Sequence, residues 1–189
     1  MINKKEILTA SNLLSFLRLL LAIPFWILLD SFETPTVRYY AFGLALFASL
    51  TDILDGFLAR KLNQVTEFGK IIDPLADKIC IGVIIIKLFV IGEISTFYFV
   101  LIVSRDIIIF IGGIIVSNII KKVLPSNALG KITVISIGII ILLIFLNIDK
   151  NNIVFLSIYY LSILLSIASV IGYAIRASEF IRQKKYESI

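Results

Sequence analysis

Four aspartates hold the reactive potential of this chain: Asp52 and Asp55 in TDILDGFLAR, and Asp73 and Asp77 in GKIIDPLADK. Gly56, Ala59 and Arg60 follow the first pair, Gly69 precedes the second, and the flanking residues are strongly apolar. At about 100° per residue, Asp52, Asp55, Gly56, Ala59 and Arg60 share an arc of roughly 140° on one helix. Gly69, Asp73 and Asp77 share roughly 80° on the next. An Asp at mid-membrane costs about 2.5–3.5 kcal/mol on insertion scales, so these acids should face one another rather than lipid. Gathered together they repel unless a cation neutralises them, and oxygen-only donors suit a hard ion such as Mg²⁺ or Mn²⁺. Four carboxylates suffice for two ions about 3.5–4 Å apart, the arrangement that clamps phosphoryl oxygens during in-line displacement. Gly56 and Ala59 leave room for a ligand at the backbone, and Arg60 adds a fixed positive charge. A cation channel or ion transporter with an acidic site, and ion pairs that merely fix helix packing, are the other readings of the same residues.

The elements that must position these acids are membrane helices. Of 189 residues, 59% are hydrophobic and 16% charged, against about 25% charge in a soluble domain. Six stretches approach the roughly 20 residues needed to cross a bilayer, near 12–29, 36–59, 71–92, 95–119, 130–147 and 153–175. Polar breaks rich in Gly, Pro, Asn or charge separate them, and a linker of about ten residues makes the two acidic helices antiparallel neighbours. The expectation is a single all-α integral membrane domain over 1–189 with six transmembrane helices. Met1–Ala10 suits a short interfacial helix or a frayed end. The first stretch reads as a retained span, since no small-residue cleavage pattern precedes Asp30.

Charge sets the expected orientation. Lys4, Lys5, Arg60, Lys61, Lys70, Lys121, Lys122, Lys131, Arg176, Arg182, Lys184 and Lys185 fall on one side, and Arg38 and Lys150 on the other. The positive-inside bias therefore places both termini and the acids at the cytoplasmic face of a plasma or inner membrane. Arg18, Lys78, Lys87 and Arg105 lie within spans and need partners, cavities or an interface; Lys87 reads as a snorkelling residue. The scattered basic residues offer no nucleic-acid footprint. Histidine is absent and Cys80 is the single cysteine, so neither imidazole chemistry nor an internal disulfide is available.

The acidic string resembles the signature of the CDP-alcohol phosphotransferase family, DxxDGxxAR, eight residues, GxxxD, three residues, D, and matches every fixed position. The resemblance implies transfer of a substituted phosphate from a CDP-linked donor, usually CDP-diacylglycerol, to an alcohol acceptor with release of CMP. It also implies Asp52, Asp55, Asp73 and Asp77 as ligands of two Mg²⁺ or Mn²⁺ ions, and Asp77 as base for the acceptor hydroxyl. Asn12, Asp52, Gly56, Ala59, Arg60 and Gly69 would border the donor, and a homodimer is expected. Asn12, Arg18 and Pro24 resemble the opening of bacterial members that use glycerol 3-phosphate, where the first helix lines the donor site. Ser104, Arg105 and Lys131 are the candidates for the acceptor site, because a phosphorylated acceptor needs cations. Ser104-Arg105-Asp106 looks more like family members whose acceptor is phosphatidylglycerol, so that acceptor is the alternative; inositol phosphate and serine rank lower.

Overall fold

The structure is a computed structural model and describes residues 9–61, 69–120 and 128–187. Among these residues it forms six α-helices and no strand: α1 (Ala10–Leu28), a 3-10 turn (Leu29–Ser31), α2 (Pro35–Lys61), α3 (Gly69–Val90), α4 (Thr96–Ile120), α5 (Ala128–Phe145) and α6 (Ile153–Glu187). Of the expected interfacial segment Met1–Ala10, residues 1–8 lie outside the described residues, as do 62–68 and 121–127, and Thr9 and Ala10 form the start of α1.

Local chemistry sets the helix ends. Thr9 caps α1, its hydroxyl accepting from the Asn12 N–H at 3.3 Å. Ser95 does the same for Tyr98 N–H at the start of α4, and Asn152 for Val154 N–H at the start of α6. At the end of α3, Gly92 adopts φ 78°, its N–H bonds Phe89 O, and Glu93 N–H bonds Leu88 O. This is the Schellman arrangement, which needs a left-handed residue at that position. Asn147, at φ 55°, closes α5 similarly with Ile148 N–H on Leu143 O.

Among the described residues, five helices are long and apolar enough to cross a membrane: those within Asn12–Ser31, Pro35–Leu54, Thr96–Ile120, Ala128–Phe145 and Ile153–Lys184. The 22-residue α3 has comparable length but carries Asp73, Asp77, Lys78 and Lys87. Leu20, Ile27, Ile53, Ile135 and Leu164 are each more than half exposed, as expected where lipid tails are the solvent. The chain is an all-α multi-pass membrane protein.

The last helix differs from the expected span ending near 175. It runs 35 residues to Glu187, because the segment after Gly172 holds no further Gly or Pro to stop it. The extension is also held by packing. Ala177 is buried with Val116 and Ile120, flanked by Tyr173, Phe180 and Ile181, and Lys184 donates to the carbonyl of Ile119 in the last turn of α4.

The helices fall into two compact units, Met1–Glu93 with Phe145–Asn147, and Ile94–Ile144 with Ile148–Ile189. In the first, α1 lies against both α2 and α3, with Phe25, Leu29, Ala41, Ala76 and Leu88 fully buried. Alanines at such contacts let backbones approach closely, the usual source of attraction between helices in lipid. Lys87 corrects the expectation of snorkelling. It is 5% exposed, paired with Asp30 just past α1, and its ammonium lies 4.5 Å from the Trp26 ring centre. Nearby in sequence, Arg38 pairs with Glu93 at 2.7 Å and stacks 4.1 Å from Phe32.

In the second unit α4 packs on α6. Tyr98 OH meets Ser162 Oγ at 2.7 Å, Thr133 donates to Leu165 O at 3.1 Å, and Ser166 and Ser169 bond carbonyls of their own helix. These buried hydroxyls are satisfied within the helices, as a hydrocarbon surrounding demands.

Candidate active site

The acidic residues occupy the end of α2 and the start of α3, and α1 supplies what they face. Ser15 and Arg18, one turn apart on α1, meet Asp73 and Asp77, one turn apart on α3. Ser15 Oγ donates to Asp73 Oδ1, and Arg18 Nη1 donates to Asp77 Oδ1. The same Arg18 nitrogen lies 3.0 Å from Asp52 Oδ1 of α2. One cationic nitrogen therefore joins carboxylates from two helices, Asp52 and Asp77, while Asp73 is held by Ser15.

Burial is unequal across this cluster. Arg18 is 3% exposed and Ser15 0%, whereas the Asp77 and Asp52 side chains are 34% and 53% exposed. The polar stripe on α1 is thus the closed wall and the acids are the open side. Asn12, one turn before Ser15 and 1% exposed, extends that wall, and Gly69 at the start of α3 is buried. A buried guanidinium without a counter-charge would be destabilising by several kcal/mol, so α1 is bound to this register on α2 and α3. Side chains at Asp55, Gly56, Ala59 and Arg60 lie outside the described residues, although all four belong to α2.

The residues fit a hard divalent ion. Asp52 and Asp77, from different helices, already converge on a single positive atom, and the available donors are carboxylate oxygens. Among the described residues no group of three or more acids closes on a common point; the fourth acid of the string, Asp55, is not in that set.

About one turn beyond Arg18 on α1, a shallow apolar groove of about 290 Å³ opens between α1 and α3, lined by Ala22, Ile23, Trp26, Ile27 and Val83. An ionic cluster and an apolar groove thus follow one another along the same helix pair.

The acceptor candidates belong to the second unit. Arg105 is 7% exposed and ties its three helices together: Nε donates to Ser169 of α6 at 3.1 Å, Nη2 to Gly130 O of α5 at 3.3 Å, and Nη1 to Asp106 at 2.5 Å. Ser104 turns its hydroxyl back to Leu101 O, and Lys131 is exposed. Arg105 and the Gly130-Lys131 turn are brought together, while Ser104 bonds within its own helix. Ser15 was the polar partner not anticipated from sequence. Its signal is the spacing Asn12, Ser15, Arg18, three polar residues on one face of an otherwise apolar helix.

The membrane architecture and the acidic string meet in one family. The CDP-alcohol phosphatidyltransferase family model matches residues 8–173, and the chain belongs to that family. Among its relatives, the protein named CDP-diacylglycerol--glycerol-3-phosphate 3-phosphatidyltransferase of Aquifex aeolicus (strain VF5) is 34% identical over 179 residues, covering 90% of this chain and 96% of the relative. Its namesake in Rickettsia bellii (strain RML369-C) is 32% identical over 165 residues, covering 87% and 90%. A probable phosphatidylglycerophosphate synthase of Mycobacterium tuberculosis is 30% identical over 145 residues, covering 74% and 68%. The chain is an enzyme of phospholipid biosynthesis, from a family that generally depends on divalent metal.

Proposed function

We propose that the chain transfers the phosphatidyl group of CDP-diacylglycerol to glycerol 3-phosphate, giving phosphatidylglycerophosphate and CMP. The observation that carries this reading is similarity over about nine-tenths of the chain to proteins named for that reaction. The meeting of Asp52, Asp73 and Asp77 with the polar face of α1 supports it.

In this reading the acyl chains of the donor lie against the apolar groove of α1 and α3, and its pyrophosphate lies at the acids. Asn12, Asp52, Gly56, Ala59, Arg60 and Gly69 border the cytidine diphosphate. Asp52, Asp55, Asp73 and Asp77 would hold divalent metal, Mg²⁺ or Mn²⁺ and two ions by carboxylate count, which when bound would offset the pyrophosphate charge. The primary hydroxyl of glycerol 3-phosphate attacks the lipid-side phosphorus, the phosphorus–oxygen bond to CMP breaks, and Asp77 takes the hydroxyl proton. Arg105 has five N–H donors, three of them engaged as described, and with Lys131 and Ser104 it is assigned to the acceptor phosphate. The acids face the cytoplasm, where the soluble acceptor glycerol 3-phosphate is available, and the working form is a homodimer.

The test is CMP release by the purified full-length chain with CDP-diacylglycerol, Mg²⁺ or Mn²⁺, and one acceptor at a time. Release with glycerol 3-phosphate and not with phosphatidylglycerol, inositol 1-phosphate or serine is expected. Release with phosphatidylglycerol alone replaces the acceptor, and no release with any acceptor from folded protein overturns the reading.

A further inference from the structure

We infer that Arg18 is a built-in counter-cation that occupies the carboxylates of the metal site and competes with the metal for them. The inference rests on the reading of Asp52 and Asp77 as metal ligands. Arg18 is 3% exposed, and one of its nitrogens contacts Asp52 of α2 at 3.0 Å and Asp77 of α3. A hard ion bound through Oδ1 of those two acids would need the atoms that face this nitrogen, and one bound through Oδ2 would still sit beside the guanidinium charge. Held that close, the guanidinium and the ion repel each other, so each weakens the other's hold on the acids.

The arrangement has a physical reason. Carboxylates from two helices would drive α2 and α3 apart whenever the ion is missing. A side chain from α1 neutralises them and keeps the helices in register. Ser15 supports it one turn earlier by holding Asp73, so the α3 acids are oriented before any ion arrives. The consequence is that the metal binds by displacing a contact, and its affinity is lower than the bare acids would give. Arg18 is in this sense a positioning residue, acting on the reaction through Asp52 and Asp77.

The experiment measures Mn²⁺ binding to the full-length chain in detergent, without lipid donor, from the free-Mn²⁺ electron paramagnetic resonance signal. Arg18→Gln should half-saturate at about five- to tenfold lower Mn²⁺ than the unaltered chain, within the usual range for two coupled sites. It should also melt at a lower temperature in EDTA and recover with Mn²⁺. Arg18→Lys keeps the charge and loses the planar fork, and should half-saturate about threefold lower. It serves also if the Gln variant fails to fold. Half-saturation at or above that of the unaltered chain in the folded variants overturns the competition. In that event, weaker binding by Asp77→Asn would leave the metal reading standing. If the unaltered chain and Arg18→Gln both take up no Mn²⁺, the metal reading itself falls and the inference with it.

Discussion

Asp77 and Ser15 show how differently two side chains in one cluster bear on the protein. Asp77 is assigned to proton removal, so Asp77→Asn should lower kcat for CMP release by about 10²–10⁴-fold, the usual worth of a general base. Asp52 still faces Arg18, so the protein should fold, with a lower melting temperature in detergent because one carboxylate opposite that buried guanidinium is neutralised. Ser15→Ala acts chiefly on stability. It removes a fully buried hydroxyl from Asp73 and should reduce stability by about 1.5–3 kcal/mol, as for hydrogen bonds to charged groups, seen as a lower melting temperature. The acids were legible from the sequence because carboxylates in apolar helices are expensive and must find company. Ser15 was hard to read, because a serine in a membrane helix commonly bonds its own backbone, as Ser104 does with Leu101. Lys87 was misread for a related reason. Its counter-charge, Asp30, is 57 residues away in sequence, and nothing local to α3 announces it.

The helices themselves followed from hydropathy and punctuation. Gly92 and Asn147 sit where left-handed residues end α3 and α5, and the capping residues Ser95 and Asn152 stand immediately before the helices they start. The end of α6 was less legible, since a span ends where apolar residues stop but a helix continues while its residues favour it. Contacts between α4 and α6 were not readable at all. Gly112 and Gly113 are ordinary glycines in the sequence, yet a Cβ on Gly112 would stand 3.3 Å from the Tyr173 ring and one on Gly113 3.2 Å from its hydroxyl. Gly112→Val should therefore overpack the α4–α6 contact and lower stability by about 1–3 kcal/mol. Gly43→Val on α2 meets nothing within 4 Å and should show only the smaller helix-propensity change, by the same thermal unfolding assay.

For the molecule as a whole, orientation is the property that sequence charge argues most directly. With the acids at the cytoplasmic face, Asn151→Cys, between α5 and α6, should react with a membrane-impermeant maleimide in intact cells. Gln183→Cys near the end of α6 should react only after permeabilisation, and Cys80, 3% exposed, in neither case. The reverse pattern would turn the protein over in the membrane. The bond from Arg18 to Asp77 also bears on how the chain is made. An arginine within a membrane segment carries an insertion cost of about 2.5–3.5 kcal/mol, and α1 leaves the ribosome well before α3 supplies its acid. The newborn first helix relies on its apolar residues until Asp52 of α2 arrives, and Asp77 of α3 completes the pairing. A chain halted after α1 therefore holds an arginine in the bilayer with neither of its carboxylates, and one halted after α2 holds it with Asp52 alone.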